Sequence, residues 1–387
     1  MKIVLLGGGG LMARATARDL LEDRPDVRLV LADLNVDAAE SVAAWLEPVA
    51  RDRLSTVRAD ASDVASVRDV IAGADALINA AQYYFNVPVM RAALAERVPY
   101  VDLGGLFHVS REQLELHGEF ARAGLTAVIG MGSTPGITNV QARRAAQDLE
   151  RVDRIDVFCA NTPEADAPED FGYSIHTILD ELSRAPVVFR DGELRELEPL
   201  AEPTTWDFVE PIGPKEVHHS LHSELATLPS SYAERGLRDC SFKLNYFGYT
   251  PRALRELNDM ADGMPRAELV VELMRRREAS RATRRACGED PDAFVVDHEE
   301  GAVEVSGSRN GRPATVRIDT LAVGRDDWRI SGGTLLTATP PGIVAGWLAD
   351  GSLDAPGVHP PEAVVEPARL FDALESRGIR TTIRVSE

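Results

Sequence analysis

The chain has little cysteine, a deficit of positive charge and no long apolar run, and each shortage removes a class of protein. Three cysteines, Cys159, Cys240 and Cys287, stand far apart in 387 residues. They supply neither a disulfide framework nor a paired-cysteine metal motif, so a reducing cytoplasm is the expected setting and no metal is expected. Lys and Arg number 42 against 62 Asp and Glu, giving a net charge of -20. Phosphate backbones and anionic membranes need a basic surface, so neither nucleic acid nor a membrane is the expected partner. A single pyrophosphate is not excluded, because backbone N–H groups hold one without help from overall charge. No apolar stretch approaches the roughly 18 residues of a membrane span, and the first one is too short for a secretory leader. Repeats and low-complexity tracts are missing too.

What is there is rhythm. Apolar runs at 3–6, 27–32, 55–58, 76–80, 100–103 and 127–129 read as strands. Between them, 12–21, 37–49, 64–72, 87–97 and 111–123 carry apolar residues at three- and four-residue spacing, as helices do. Such alternation predicts an α/β fold, a Rossmann-type doubly wound parallel sheet with helices on both faces. Gly73 and Gly124 stand where two of these helices end. Beyond about residue 131 the pattern becomes α+β, with strands expected near 155–159, 187–189, 242–247, 294–297 and 314–319. Helices are expected around 174–182, 265–285 and 368–377. Asp191-Gly192 and Asn310-Gly311 are hairpin turns by composition.

The stretch IVLLGGGGLMARATARDL holds four glycines, Gly7 to Gly10, between the first strand and the first helix. The dinucleotide fingerprint G-x-G-x-x-G/A fits best as Gly8, Gly10 and Ala13, because the other register puts Met12 where the helix must pack tightly. Gly8 then makes the turn and Gly10 admits the pyrophosphate. Asp33 ends the second strand 20 residues past Ala13, where a carboxylate accepts from ribose hydroxyls and repels a 2′-phosphate. NAD is therefore expected over NADP. The expected cofactor set is Gly8, Gly10, Leu11, Met12, Asp33, Asp60, Asn79, Ala80 and Ala81.

Ligands of open α/β sheets lie beyond the carboxyl ends of the strands. There the chain reads NAAQYYFN, YVDLGG and IGMGSTPGITNV. Gln82 and Asn86 are expected to border the substrate, as are Gly132, Pro135, Thr138 and Asn139, with Thr138 or Asn139 also able to cap the following helix. Asp102 either holds a substrate ammonium and relays its proton or caps the turn at Gly104–Gly105; its strand-end position favours the first. Tyr83 and Tyr84 either orient substrate or pack. From the second part, His176, His219 and His222 are candidate substrate contacts. The arginine-rich stretch 275–285 reads as a solvated helix face or dimer contact in so acidic a chain.

These motifs together, with GYSIHTILDEL, RDGEL, HSELATLP and GVHPPEAVVEPARLFDALESRGI, resemble the saccharopine dehydrogenase family over almost the whole chain. The resemblance implies a Rossmann domain over 1–131, an α+β substrate and dimerisation domain over 132–339, and C-terminal helices over 340–387 returning to the first. It also implies an NAD-dependent oxidoreductase acting on the C–N bond of an amino acid, working as a homodimer. Length, the LMA-x-x-x-ARDL helix and Asp33 are most similar to members that oxidise the lysine ε-amine to an imine, which water opens to the aldehyde with release of ammonia. The alternative is reduction of an imine between an amine and a carbonyl compound, of saccharopine or carboxynorspermidine type. A protein that senses NAD without turnover is a further possibility, against which the intact YVDLGG and TPGITN segments weigh. Hydride leaves carbon only beside a neutral nitrogen, and a lysine-type amine has a pKa of about 10.4, so the site must manage a proton.

Overall fold

The structure is a computed structural model that describes residues 1–171, 175–291 and 293–387. Residues 172–174, part of the GYSIHTILDEL motif and of the expected 174–182 helix, lie outside the described residues.

Six short strands build the first sheet: β1 (Lys2–Leu6), β2 (Arg28–Asp33), β3 (Leu54–Arg58), β4 (Ala76–Asn79), β5 (Tyr100–Asp102) and β6 (Thr126–Val128). The second sheet holds β7 (Arg151–Asn161), β8 (Val187–Arg190), β9 (Glu193–Glu196), β10 (Thr204–Asp207), β11 (Pro214–His219), β12 (Asp239–Leu244), β13 (His298–Arg309) and β14 (Arg312–Val323). Near the C-terminus β15 (Gly357–His359) rejoins the first sheet, and β16 (Arg380–Ser386) rejoins the second.

The first sheet runs β15-β6-β5-β4-β1-β2-β3, all parallel. Its central strands are apolar because both faces are covered, while the edge strand β3 is half-exposed and mixed. Ile3 and Leu5 face one core, with Ala13, Ala17 and Leu20 of the Leu11–Asp23 helix and Leu336 and Val344 of the Gly332–Ala349 helix. Val4 and Leu6 face the other, with Val67, Met90 and Phe120. A period of two thus sorts one strand between two cores. The doubly wound expectation holds.

The second sheet orders β10-β11-β12-β7-β13-β14-β16, with β8 on β12 and β9 on β8; β12 and β7 are parallel and the other pairs antiparallel. One face packs Ile155, Val157, Phe242, Val303 and Val316 against the helices behind it. Both hairpins are where composition put them. Asn310 and Gly311 take φ of 51° and 72° between Arg309 and Arg312, and Asp191 and Gly192 take 56° and 87° between Arg190 and Glu193. Positive φ at both central residues matches the right-handed twist of the strands.

Two expectations need correction. The segment 294–297 is not a strand; β13 begins at His298, and the Asp297 carboxylate instead accepts from the Gly332 N–H at 2.8 Å. The C-terminal helices expected over 340–387 do pack back on the first domain, but the last strand of that range does not. The helix begins at Gly332 and lies on the Leu11–Asp23 helix, where the buried Thr16 hydroxyl donates to the Ala338 carbonyl at 2.7 Å. Arg377 then pins the chain to Asp19 at 2.7 Å, and β16 crosses to pair with β14. Short connecting loops hid this crossing, since nothing local in RTTIRVS says which sheet it joins. Among the described residues no helix is long and apolar enough to cross a membrane.

Candidate active site

The glycine turn follows β1 because nothing larger fits. Gly7 alone of the four has left-handed backbone, φ 79°, and a Cβ there would lie 2.7 Å from the Ala80 and Ala81 backbone. The tight turn expected at Gly8 therefore falls one residue earlier. A Cβ on Gly8 would press on Leu31 at 2.8 Å and one on Gly9 on Ala38 at 2.7 Å, whereas one on Gly10 would touch only the Gly7 carbonyl at 3.2 Å. Gly10 is the glycine with an open side, and Ala13 is buried in the first helical turn, as the Gly8/Gly10/Ala13 register requires.

No side chain caps the Leu11–Asp23 helix at Gly10, so its first N–H groups are left for an anion. Asp33 accepts from the Gly9 and Asn35 N–H groups, each at 2.9 Å, which steadies the turn and keeps lone pairs for a ribose. Leu11 and Leu34 flank it with exposed apolar side chains. These residues fit a dinucleotide. Arg58, which sequence reading passed over, is the β3 partner of Asp33 in register. Asp60 follows at the end of β3; the Ser62 hydroxyl and N–H hold its carboxyl below the usual range.

Asp102 does not face a ligand. It is fully buried, and four donors saturate it: Tyr100 Oη at 2.8 Å, Gln113 Nε2 at 2.5 Å, Gly104 N at 2.9 Å and Gly130 N at 2.7 Å. The catalytic expectation is corrected, and the turn-capping alternative describes the geometry: the carboxylate ties the loops after β5 and β6 to each other and to the Leu106–Glu115 helix. Asn79 belongs to the same knot, donating to Asn86 at 2.9 Å and Tyr100 at 3.1 Å, so Asn79 and Asn86 are structural as well. Burial nevertheless pushes the Asp102 carboxyl up against those four bonds.

Tyr83 and Tyr84 both donate to Asp180 of the Ile175–Ser183 helix, at 3.1 and 2.7 Å, and Arg266 meets that carboxylate at 2.6 Å. Burial pushes Asp180 up, but Arg266 and the two hydroxyls outweigh it and hold its carboxyl below the usual range. The pair latches the first domain to the second, and burial raises both phenols further. Of the two alternatives, orienting substrate or packing, Tyr83 keeps the first open because it also lines the cavity below.

Above the strand ends lies a cavity of about 820 Å³, within the range of small-molecule sites. Leu11, Met12 and Tyr83 reach it from the first domain, with Gly104, Thr134 and Pro135 as its floor. Pro135, after a cis peptide, packs on the bare Cα atoms of Gly104 and Gly130. One wall is acidic, formed by Glu181, Asp297 and Glu299, all nearly buried. Opposite it the Arg266–Ala286 helix presents Arg277, Arg281 and Arg284, four and three residues apart and hence on one face. Most of the stretch 275–285 is exposed, as expected of a solvated face, but one row of it lines the cavity, and that spacing was the overlooked signal.

His222 also lines the cavity, stacked on Phe242 at 3.9 Å with its Nδ1 on Glu224, whose other oxygen accepts from Thr138 at 3.1 Å. Burial pushes the imidazole down, but Glu224 and Glu181 outweigh it and the net shift is upward. Burial, with Asp297 beside it, pushes the Glu299 carboxyl up to about 8.

The remaining expected substrate contacts lie elsewhere. Thr138 and Asn139 are buried in the helix start, where Asn139 accepts from the Gly136 N–H at 3.0 Å and so does help cap it. Gly132 closes the loop on the Pro135 carbonyl, Gln82 is exposed, and His176 is exposed on its helix while Thr177 beside it lines the cavity. His219 lines a separate cavity of about 480 Å³ with Arg154, Arg190 and Lys243, where burial pushes its imidazole down to about 4.

Fold and site define a dinucleotide-binding protein of two domains, with a Rossmann sheet and a mixed-sheet domain that walls the cavity. Residues 3–128 match the saccharopine dehydrogenase NADP binding domain and residues 132–379 the saccharopine dehydrogenase C-terminal domain. The chain belongs to the saccharopine dehydrogenase family. It is 26% identical over 240 residues to carboxyaminopropylagmatine dehydrogenase of Synechocystis sp., covering 59% of this chain and 58% of that one. It is 24% identical over 274 residues to carboxynorspermidine synthase of Vibrio cholerae, 64% and 65% of the two chains. To the NADP(+), L-glutamate-forming saccharopine dehydrogenase of Saccharomyces cerevisiae it is 25% identical over 202 residues, 50% and 43% of the two chains. The matched stretch thus spans less than two thirds of each relative. The apo structure of the L-Glu forming saccharopine dehydrogenase from S. cerevisiae shares the fold over the full length of both chains, with TM-score 0.75 at 16% identity.

Proposed function

We propose that the protein is a nicotinamide-dinucleotide oxidoreductase acting on the C–N bond of a carboxylated amine. The observation that carries the reading is the cavity itself, in which arginines face a wall of buried carboxylates beside the glycine turn. Arginine forks pair with carboxylates and buried acids with ammonium groups, so the two walls suit opposite ends of an amino-acid-like substrate. Bound dinucleotide would accept or supply the hydride; the chain's residues bind, orient and exclude water. Asp33 supports NAD over NADP, with Arg58 the residue that would favour the reverse.

Of the two forms of this chemistry we favour a condensed secondary amine and its imine, whose additional carboxylate Arg277 could meet, whereas Arg284 already pairs with Glu289 at 2.8 Å. The names of the relatives, carboxyaminopropylagmatine and carboxynorspermidine among them, point the same way. Oxidation of the lysine ε-amine is the second reading, supported by an acidic wall able to take a second cationic nitrogen. We also infer a homodimer, testable by sedimentation velocity. The deciding experiment is a substrate panel: NADH production with lysine and related diamines, then NADH consumption with amines plus aldehydes or keto acids. No turnover on any pair, with NAD binding still measurable, would leave the NAD-sensing reading instead.

A further inference from the structure

We propose that Glu299 is the acid–base group of this cavity, taking the proton that the substrate's ammonium nitrogen must lose before hydride can leave the neighbouring carbon. The proposal rests on the C–N reading above. On the acidic wall the groups differ in how firmly they are held. The Asp297 carboxylate accepts from the Gly332 N–H, and His222 is clamped by Glu224 and Phe242. Glu299 is met by the Cys159 thiol at 3.8 Å, a weak donor.

Space has been made for this carboxylate. A Cβ on Gly333 would lie 2.0 Å from Glu299 Oε2, so only the bare Cα of glycine lets the oxygen rest there. Gly333 sits in the first turn of an 18-residue helix, whose N-terminal field favours the anion, while burial favours the acid. Two opposed influences leave the proton exchangeable near neutrality, as acid–base work needs. The charged and titratable groups around it are Asp297 on the same segment, Cys159 on β7 and, across the cavity, Glu181, His222 and the arginines of the Arg266–Ala286 helix.

In the oxidative direction an ammonium N–H bond breaks and its proton joins a Glu299 oxygen. The freed lone pair forms the C=N bond as the adjacent C–H bond breaks, and hydrogen with both electrons passes to the oxidised nicotinamide. The products are an iminium, the reduced dinucleotide and neutral Glu299. Reduction returns the same proton to nitrogen.

The test counts protons. L-lysine and agmatine are titrated calorimetrically into NAD-saturated protein at pH 7, in two buffers of different ionisation enthalpy. A cation docking on protonated Glu299 expels that proton, so nearly one is released per amine bound. Glu299→Gln should release almost none and bind about tenfold more weakly, in line with the ~1.5 kcal/mol of a charge-assisted bond. Equal release from parent and variant overturns the proposal and leaves the C–N reading intact; failure of both amines to bind the parent overturns both. A second measurement needs no ligand. A carboxyl raised from 4.5 to about 8 on folding gives stability below pH 4.5 that is lost as pH rises to about 8. The melting temperature of the parent should therefore fall relative to Glu299→Gln from about pH 5 to pH 8 and level off beyond. Parallel curves overturn the proposal.

Discussion

Replacing Asp102 by alanine separates a structural from a reacting carboxylate. Its four donors come from β5 itself, from the helix Leu106–Glu115 and from the loops after β5 and β6, and truncation leaves all four inside the protein without an acceptor. Each unsatisfied buried donor costs about 1–3 kcal/mol. The Tyr100 hydroxyl can turn elsewhere, and removing the charge recovers the desolvation that raises this carboxyl. The net cost should be about 3–5 kcal/mol, as for other broken buried partnerships. At about 2–4 °C per kcal/mol for a domain of 150–250 residues, the melting temperature should fall by roughly 6–20 °C. Asp102→Asn keeps the Gly104 and Gly130 bonds through its oxygen, and should lose about half as much. The assay is thermal melting, with NAD binding measured by fluorescence at low temperature, where the folded fraction should bind as the parent does. A variant that melts within 2 °C or so of the parent yet has lost all turnover would refute the argument and restore Asp102 as a reacting group.

Asp33→Ala should weaken NAD binding about tenfold, the worth of a charge-assisted bond of ~1.5 kcal/mol, and narrow the preference over NADP; an unchanged ratio in fluorescence titrations would refute the NAD assignment. Arg277→Ala and Arg284→Ala should raise KM for a carboxylated substrate by tenfold or more with a smaller change in kcat, and steady-state kinetics showing the opposite split would remove the arginine wall from substrate binding. Gly9→Ala places a Cβ 2.7 Å from that of Ala38 and should lower both melting temperature and NAD affinity; a neutral outcome would show that the second helix yields more readily than its packing suggests.

The first domain was legible because its signals are local. A parallel sheet covered on both faces writes itself as apolar runs, and one turn with one acid, Gly7 to Gly10 and Asp33, announces a dinucleotide. Even there the sequence could not say which glycine turns the chain, since Gly7 is singled out by the Ala80–Ala81 backbone against it. Asp102 was misread for a related reason. A strand-end carboxylate looks the same in sequence whether it meets a substrate or two loops, and the donors that decide lie 11 and 28 residues away at Gln113 and Gly130.

The cavity's walls were hidden more deeply. Glu299 stands in a strand whose alternation gives no reason to single it out from Glu300, which faces the other side of the sheet. What distinguishes it is Gly333, on a helix that belongs to the opposite domain. The arginines carried a readable helical spacing, but the acidity of the whole chain argued for a solvated face. That inference treats charge as an average, whereas a substrate meets only the few groups that line the cavity. The acidic wall is therefore set by the return of the chain at Gly332 and Gly333 against Glu299, and by distant segments that bring Glu181 and Arg277 to the same cavity. Those long-range connections are what composition and periodicity do not encode.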